Sequence, residues 1–184
     1  HCSLVGNAGM GLIATGGSHH SLLSSTVTGN GLGGLSNSSA SNRVLARMNY
    51  WGDPSGPSGS GFGSGQSITS YVVFDPWLTS APSSTEYVSS LVLYGPRFSA
   101  ALAPARWNAE ATEAGTWTLT VKDPSQKVLR VISGAGLSAS LAWDGRDSSG
   151  NLQPDGTYSY LLELAGHVTG AAAPATGRLY LDAS

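Results

Sequence analysis

Cysteine is almost missing from this 184-residue chain. The single Cys2 excludes an internal disulfide, so backbone pairing and packing must supply the stability. A lone thiol usually behaves as a small buried apolar residue, and Cys2 is read that way here. Charge is scarce as well: 11% of residues are charged, the net charge is -2, and the nine basic residues are scattered. That pattern excludes the basic footprint a nucleic acid or an anionic lipid surface would need. No apolar run reaches the roughly 20 residues of a spanning helix, and no basic-plus-apolar signal segment stands at the start, so membrane insertion is not expected. The most informative absence is local, because residues 1–52 contain no Asp or Glu. Polysaccharide lyases and hydrolases need clustered carboxylates for acid–base work or for calcium. This stretch lacks those parts, and no catalytic residue or cofactor is expected.

What is present is glycine, 25 of them, with much Ser, Thr and Ala and a 40% hydrophobic fraction that belongs to globular proteins. Two lysines against seven arginines suit an exported bacterial repeat protein from a GC-rich genome. The first residue is His1 rather than Met, as expected of a piece of something longer. Sliding the chain by 23 residues lays "CSLVGNAGMGLI" (2–13) over "STVTGNGLGGLS" (25–36): Leu4 falls on Val27, Asn7 on Asn30, Gly11 on Gly34 and Leu12 on Leu35. A short apolar strand, a Gly-Asn corner and a second short strand are the ingredients of a coil in a right-handed parallel β-helix. Such coils pair at about 4.8 Å, stack apolar on apolar inside, and run corner asparagines into a ladder. Asn7 and Asn30 are the predicted rungs. A Gly/Ser-rich low-complexity loop is the bland alternative, which the matching apolar offsets disfavour.

The segment "NRVLARMNYWG" (42–52) departs from that spacing and introduces Tyr50 and Trp51. An uncovered coil end invites pairing with other chains. Tyr50 and Trp51, with Trp77, are therefore read as a structural cap. Gly52, Pro54 and Pro57 would then stop further pairing and lead the chain away. "NYWGDPSGP" (49–57) followed by "SYVVFDPWL" (70–78) resembles the closing coil of bacterial right-handed parallel β-helix repeat proteins. The resemblance covers residues 1–79 and implies that Tyr71, Val73 and Trp77 pack back along the helix, with Asp75-Pro76 ending the strand.

"TSAPSST" (79–85) reads as a small-residue linker, bounded at 80–85, and a different texture follows over 86–184. Strand-like runs recur: "YVSSLVLYG" (87–95), "GTWTLTVKD" (115–123), "KVLRVISG" (127–134), "LSASLAWDG" (137–145), "GTYSYLLELAG" (156–166) and "TGRLYLD" (176–182). Trp117, Leu119 and Val121 alternate with threonines, so one face is buried; with Trp143, Tyr158 and Tyr160 they form the predicted core. Turns at Asp123-Pro124, Asp144-Gly145, Gly150-Asn151 and Asp155-Gly156 complete the pattern of a small β-sandwich. Val121, Asp123, Val128, then "WDGRDSSG" (143–150), then "GTYSY" (156–160) resemble the Ig-like domain at the end of flagellar hook-capping (FlgD-like) proteins, copies of which terminate many secreted bacterial proteins. Gln126 stands where that pattern has Gly, which predicts a different turn after Asp123.

Several candidate sites remain. His1, Cys2, His19 and His20 have metal-ligating chemistry, but adjacent histidines point to opposite sides of a strand and no carboxylate is near in sequence. The nearby serines lack an orienting acid for a catalytic triad. Asp144, Asp147 and Asp155 are candidate calcium ligands; the alternation of a calcium loop is missing, and turn formation is the preferred reading. Trp107, in the loop-like "PARWNAEAT", is the candidate exposed binding residue. Together these readings describe a non-catalytic end module of a secreted or cell-surface β-helix protein, capping the helix and mediating attachment or assembly. Expected partners are further coils or a protein at the open N-terminal end, and a polysaccharide or cell-envelope component. The alternative is the tail of a carbohydrate-active β-helix enzyme whose catalytic coils lie upstream.

Overall fold

The computed structural model describes residues 2–15, 20–82, 88–166 and 172–183, and every regular element among them is a strand. His1, His19 and residues 83–85 of the expected linker lie outside the described residues. The chain divides into two compact units, His1–Ser83 and Ser84–Ser184.

The first unit contains β1 (Ser3–Val5), β2 (Met10–Ala14), β3 (Thr26–Thr28), β4 (Gly33–Asn37), β5 (Val44–Leu45), β6 (Pro57–Gly59), β7 (Gly65–Ile68), β8 (Val72–Val73) and β9 (Trp77–Leu78). Its ladders are parallel. β1 lies on β3 with Leu4 opposite Val27, and β2 lies on β4 with Leu12 opposite Leu35. Parallel neighbours cannot be joined by a tight turn and need a crossover of a dozen or more residues. Here each strand lies on its repeat 23 residues later, the offset that also separates Asn7 from Asn30. The ladder then continues through parallel bridges of Ser21 with Leu45 and Thr26 with Tyr50, and through β5 on β8.

Three expectations are corrected at this point. The Gly/Ser/Pro run does not lead the chain away: after Trp51 it makes an excursion through β6, which pairs in parallel with β7, and β7 returns to set Ile68 opposite Leu35. Pro57 is tolerated because β6 is the outermost strand of its sheet, where a missing N–H breaks no inner ladder. Pairing goes on past it, with Gln66 N–H donating to the Trp51 carbonyl at 2.7 Å and Leu78 N–H to that of Asn49 at 3.0 Å. Tyr50 is accordingly a rung rather than an end. Trp51 is an interior ring, 0% exposed and packed with Val27, Leu35, Ile68 and Trp77. It fits because Gly34 has no side chain: a Cβ there would meet Trp51 Cε3 at 3.2 Å and Val27 Cγ1 at 3.1 Å. In β8 the buried residue is Val72 and not Val73, a one-residue shift that exchanges the two faces of the strand.

The second unit contains β10 (Val88–Tyr94), β11 (Arg97–Ser99), β12 (Ala105–Lys122), β13 (Val128–Trp143), β14 (Gly156–Gly166) and β15 (Ala175–Asp182). β12 and β13 form one long antiparallel hairpin whose register breaks between Glu110 and Gly115. On either side of that break β12 takes a different partner: β10 along Arg106–Ala111 and β14 along Gly115–Lys122. β15 pairs antiparallel with β14, and β11 adds in parallel to β15. The bent hairpin thereby serves two layers. Their facing rings meet at 5.1 Å for Trp107 with Tyr160, 5.1 Å for Trp143 with Tyr158 and 5.7 Å for Phe98 with Trp143. Trp117, Leu119, Val121, Trp143, Tyr158 and Tyr160 are all buried. Tyr158 Oη donates to the Pro154 carbonyl, four residues back, at 2.6 Å. This is the arrangement called a tyrosine corner in Ig-type sandwiches.

Candidate interaction surfaces

Side-chain amides bind the corners of the first unit. Asn7 Nδ2 and its backbone N–H both donate to Asn30 Oδ1, at 2.7 and 3.1 Å, and Asn30 N–H donates to Gln66 Oε1 at 3.1 Å. A second chain, which the 23-residue comparison missed, runs from Cys2 N–H to Ser25 Oγ at 3.0 Å and from Ser25 N–H to Asn49 Oδ1 at 2.9 Å. Ser25 and Asn49 stand 24 residues apart, one more than the 23-residue repeat. At the first rung the ladder is open: among the described residues β1 pairs only with β3 and β2 only with β4. Val5 and Ile13 on that rung are 50% and 60% exposed. Cys2 is exposed too, against the buried reading, because it sits on the same outermost rung, with Sγ 3.3 Å from Ser25 Oγ.

The aspartates of the second unit organise turns. Asp147 Oδ1 accepts from the backbone N–H groups of Ser149 and Asn151, both at 2.9 Å, and its Oδ2 from Asn151 Nδ2 at 3.2 Å. Asp144 Oδ1 accepts from Arg146 N–H, and Asp155 Oδ1 from Ala183 N–H at 2.6 Å. Asp147 thus engages both carboxylate oxygens with N–H donors, and Asp144 and Asp155 one each. Among the described residues no three His, Cys, Asp or Glu side chains gather closely enough to hold a metal ion. The hydrogen bonds also set acidity: those of Asn151 and Ser149 hold the Asp147 carboxyl below its ordinary 3.8, and Ser125, with Lys127 N–H, does the same for Asp123. Burial pushes the Tyr158 hydroxyl above its ordinary 10.0, so it stays a donor.

Trp107 is not an exposed contact. It is fully buried against Tyr160, and "PARWNAEAT" is strand rather than loop. Ala105, Trp107 and Ala109 point inward while Arg106, Asn108 and Glu110 point out. That period-2 pattern was present in the sequence, but two of its three inward residues are alanines and gave little apolar contrast.

Arg106 and Asn108 of the outward set border a cleft of about 580 Å³, lined also by Tyr94, Arg97, Phe98 and Leu102 among others. β10 brings Tyr94 opposite Arg106. The turn after β11 projects Leu102, which is 88% exposed although its backbone is tied down by Leu102 and Ala103 N–H donating to the Ser99 carbonyl. Arg97 lies over the Tyr180 ring at 4.7 Å, and Arg106 Nη1 donates to Ser140 Oγ at 3.3 Å. Among the described residues no carboxylate lines the cleft.

Compared with known proteins, residues 99–166 match the family model described as the FlgD Ig-like domain. The matched span holds every residue of the hook-capping pattern, from Val121 to Tyr160. The second unit is thus similar to an Ig-like module of the kind attached to flagellar hook-capping proteins. No curated protein matches the chain. Among solved structures, the chain is similar to PorZ, described as an essential bacterial surface component of the type-IX secretion system of Porphyromonas gingivalis, at 14% identity and a TM-score of 0.34. That similarity covers 50% of this chain and 11% of that one.

Proposed function

We propose that the chain is a non-catalytic structural and interaction module of a secreted or cell-surface bacterial protein. On this reading its first unit forms the closing coils of a right-handed parallel β-helix, and its Ig-like second unit mediates attachment or assembly. The observation that carries it is the shared 23-residue register of two parallel ladders, β1 on β3 and β2 on β4, ending in an unpaired rung that exposes Val5 and Ile13. An edge of that kind is a template for one more strand. Its partner is therefore a further coil or a strand from another protein. The absence of acids from residues 1–52 and the use of Asp144, Asp147 and Asp155 as turn ligands support a non-catalytic role. The Ig-like match over residues 99–166 supports the assembly role of the second unit.

Duplicating residues 2–24 in tandem tests this reading. If the first rung accepts a further coil, the inserted copy should pair with it, slowing amide exchange in the copy and in Ser3 and Val5, whose N–H groups face the open edge. Free exchange throughout the inserted copy would reject the reading.

A further inference from the structure

We propose that the cleft beside β10 and β12 binds an acidic peptide segment that carries an apolar anchor side chain. The site lies within the second unit and does not depend on the coil reading of the first. Charge complementarity is the first argument. Arg97 and Arg106 are both exposed, neither is ion-paired with a described carboxylate, and among the described residues the cleft lining contains two guanidinium groups and no acid. Both are also positioned: one stacks on Tyr180, and the other is tethered to Ser140. Held guanidinium forks bind carboxylates at a smaller loss of side-chain entropy than free ones.

The second argument separates a peptide from a sugar. Leu102 and Tyr94 present 88% and 56% of their surface to solvent on an ordered turn and a strand end, next to Phe98, Ala103 and Pro104. Asn108 Oδ1 already accepts from Ser140 Oγ at 2.9 Å, which leaves its amide N–H groups as the main neutral donors. A hydroxyl-rich chain would set many polar groups against apolar surface, where each unmade hydrogen bond costs free energy. A leucine-like side chain buries that surface instead. Direction follows as well. Glu110 lies on the same outer face, two positions beyond Asn108, so it repels carboxylates there and the acidic residues seat at the Arg97 and Arg106 end.

The test uses the full chain and fluorescence anisotropy, with a fluorescein-labelled peptide in which two glutamates flank each side of a single leucine. Saturable binding that weakens with added salt is expected. Arg97→Gln, Arg106→Gln and Leu102→Ser should each weaken it by about tenfold or more. The same peptide with lysines for glutamates, or serine for leucine, should fail to compete. Because Arg97 and Leu102 are exposed and their variants should keep the wild-type melting temperature, they stay informative even if Arg106→Gln folds poorly. Absence of saturation by about 1 mM peptide, an affinity in the millimolar range or weaker, would overturn the proposal. So would unchanged binding by the Arg97 and Leu102 variants, or tighter binding of polygalacturonate with the same variant dependence.

Discussion

In the first unit, buried polar side chains connect one rung to the next; in the second, indole rings connect one layer to the other. Asn49, Asn30 and Asn37 are buried in the first unit, and each spends its amide on backbone groups of a neighbouring rung or corner: Asn49 on Leu22, Asn30 on Leu4, and Asn37 on Asn42 and Tyr71. The second unit has no buried amide among its described residues, but three buried tryptophans. Two of them hand their N–H to the backbone, Trp117 to the Gly136 carbonyl at 3.0 Å and Trp143 to that of Arg146 at 2.8 Å. The difference follows from shape. Short parallel strands leave many N–H and C=O groups of the connecting segments to be paired outside the ladders, so satisfying those groups weighs on stability. Long antiparallel strands satisfy their own backbone, which leaves ring packing to decide it.

The largest expected effects come from the rings. Trp51→Ala and Trp107→Ala should each destabilise the unit that contains them by roughly 3–5 kcal/mol, the usual range for emptying a buried indole site. Phenylalanine separates packing from hydrogen bonding. Trp107 Nε1 has no hydrogen-bond partner among the described residues, so Trp107→Phe should cost less than Trp143→Phe, which also strips a donor from the Arg146 carbonyl. Urea unfolding of the two variants measures the ordering, and equal losses would show that the indole bonds of the second unit contribute nothing.

Next in size is the amide of the first unit. Asn49→Ala removes an acceptor from Ser25 N–H and a donor from the Leu22 carbonyl, both buried, and should cost about 2–3 kcal/mol. Asn7→Ala removes the same kind of group from the exposed rung, where water replaces it, and should cost under about 1 kcal/mol. If Asn7→Ala were as damaging as Asn49→Ala, burial would not be what makes these amides matter, and the contrast between the units would weaken.

The sequence disclosed the two units unequally. The 23-residue offset of Leu4, Asn7 and Leu12 from Val27, Asn30 and Leu35 was legible because parallel pairing places repeats directly opposite one another. The third turn was not, because the excursion through β6 breaks the spacing, and Gly, Ser and Pro carry no periodicity. In the second unit, Trp117, Leu119 and Val121 announced their strand by alternating with threonines. The cleft stayed hidden. Tyr94, Leu102 and Arg106 are separated along the chain, and only the pairing of β10 with β12 brings the first beside the last. Its Arg106 and Asn108 were masked by a strand whose inward residues are mostly alanine.

Acid should act on the turns of the second unit. The folded state holds the carboxyls of Asp123 and Asp147 below 3.8, so protonation favours the unfolded chain. Their stabilisation is complete above the unfolded value and is lost as pH falls through the lower folded one. Asp147→Asn and Asp123→Asn should therefore flatten the loss of stability between roughly pH 5 and pH 2, followed by tryptophan fluorescence in urea. An unchanged acid limb would assign the acid sensitivity to other groups.

The smallest effect concerns Gln126, which stands where the hook-capping pattern has glycine. A different turn was expected there; instead Gln126 adopts φ +68°, the left-handed conformation that glycine takes freely. The turn is kept because Asp123 Oδ1 accepts from the N–H groups of Ser125 and Lys127, at 2.8 and 3.0 Å, and the Asp123 carbonyl accepts from Gln126 N–H at 2.9 Å. Those three bonds impose the backbone on a side chain that resists it. Left-handed φ costs a non-glycine residue about 1–2 kcal/mol, while glycine gives back about 0.5–1 kcal/mol in unfolded-state entropy. Gln126→Gly should therefore raise stability by about 0.5–1 kcal/mol, read as a higher urea midpoint at unchanged m-value. Loss of stability would mean that the glutamine side chain, whose Nε2 donates to Ser159 Oγ at 3.4 Å, contributes more than the strain removes.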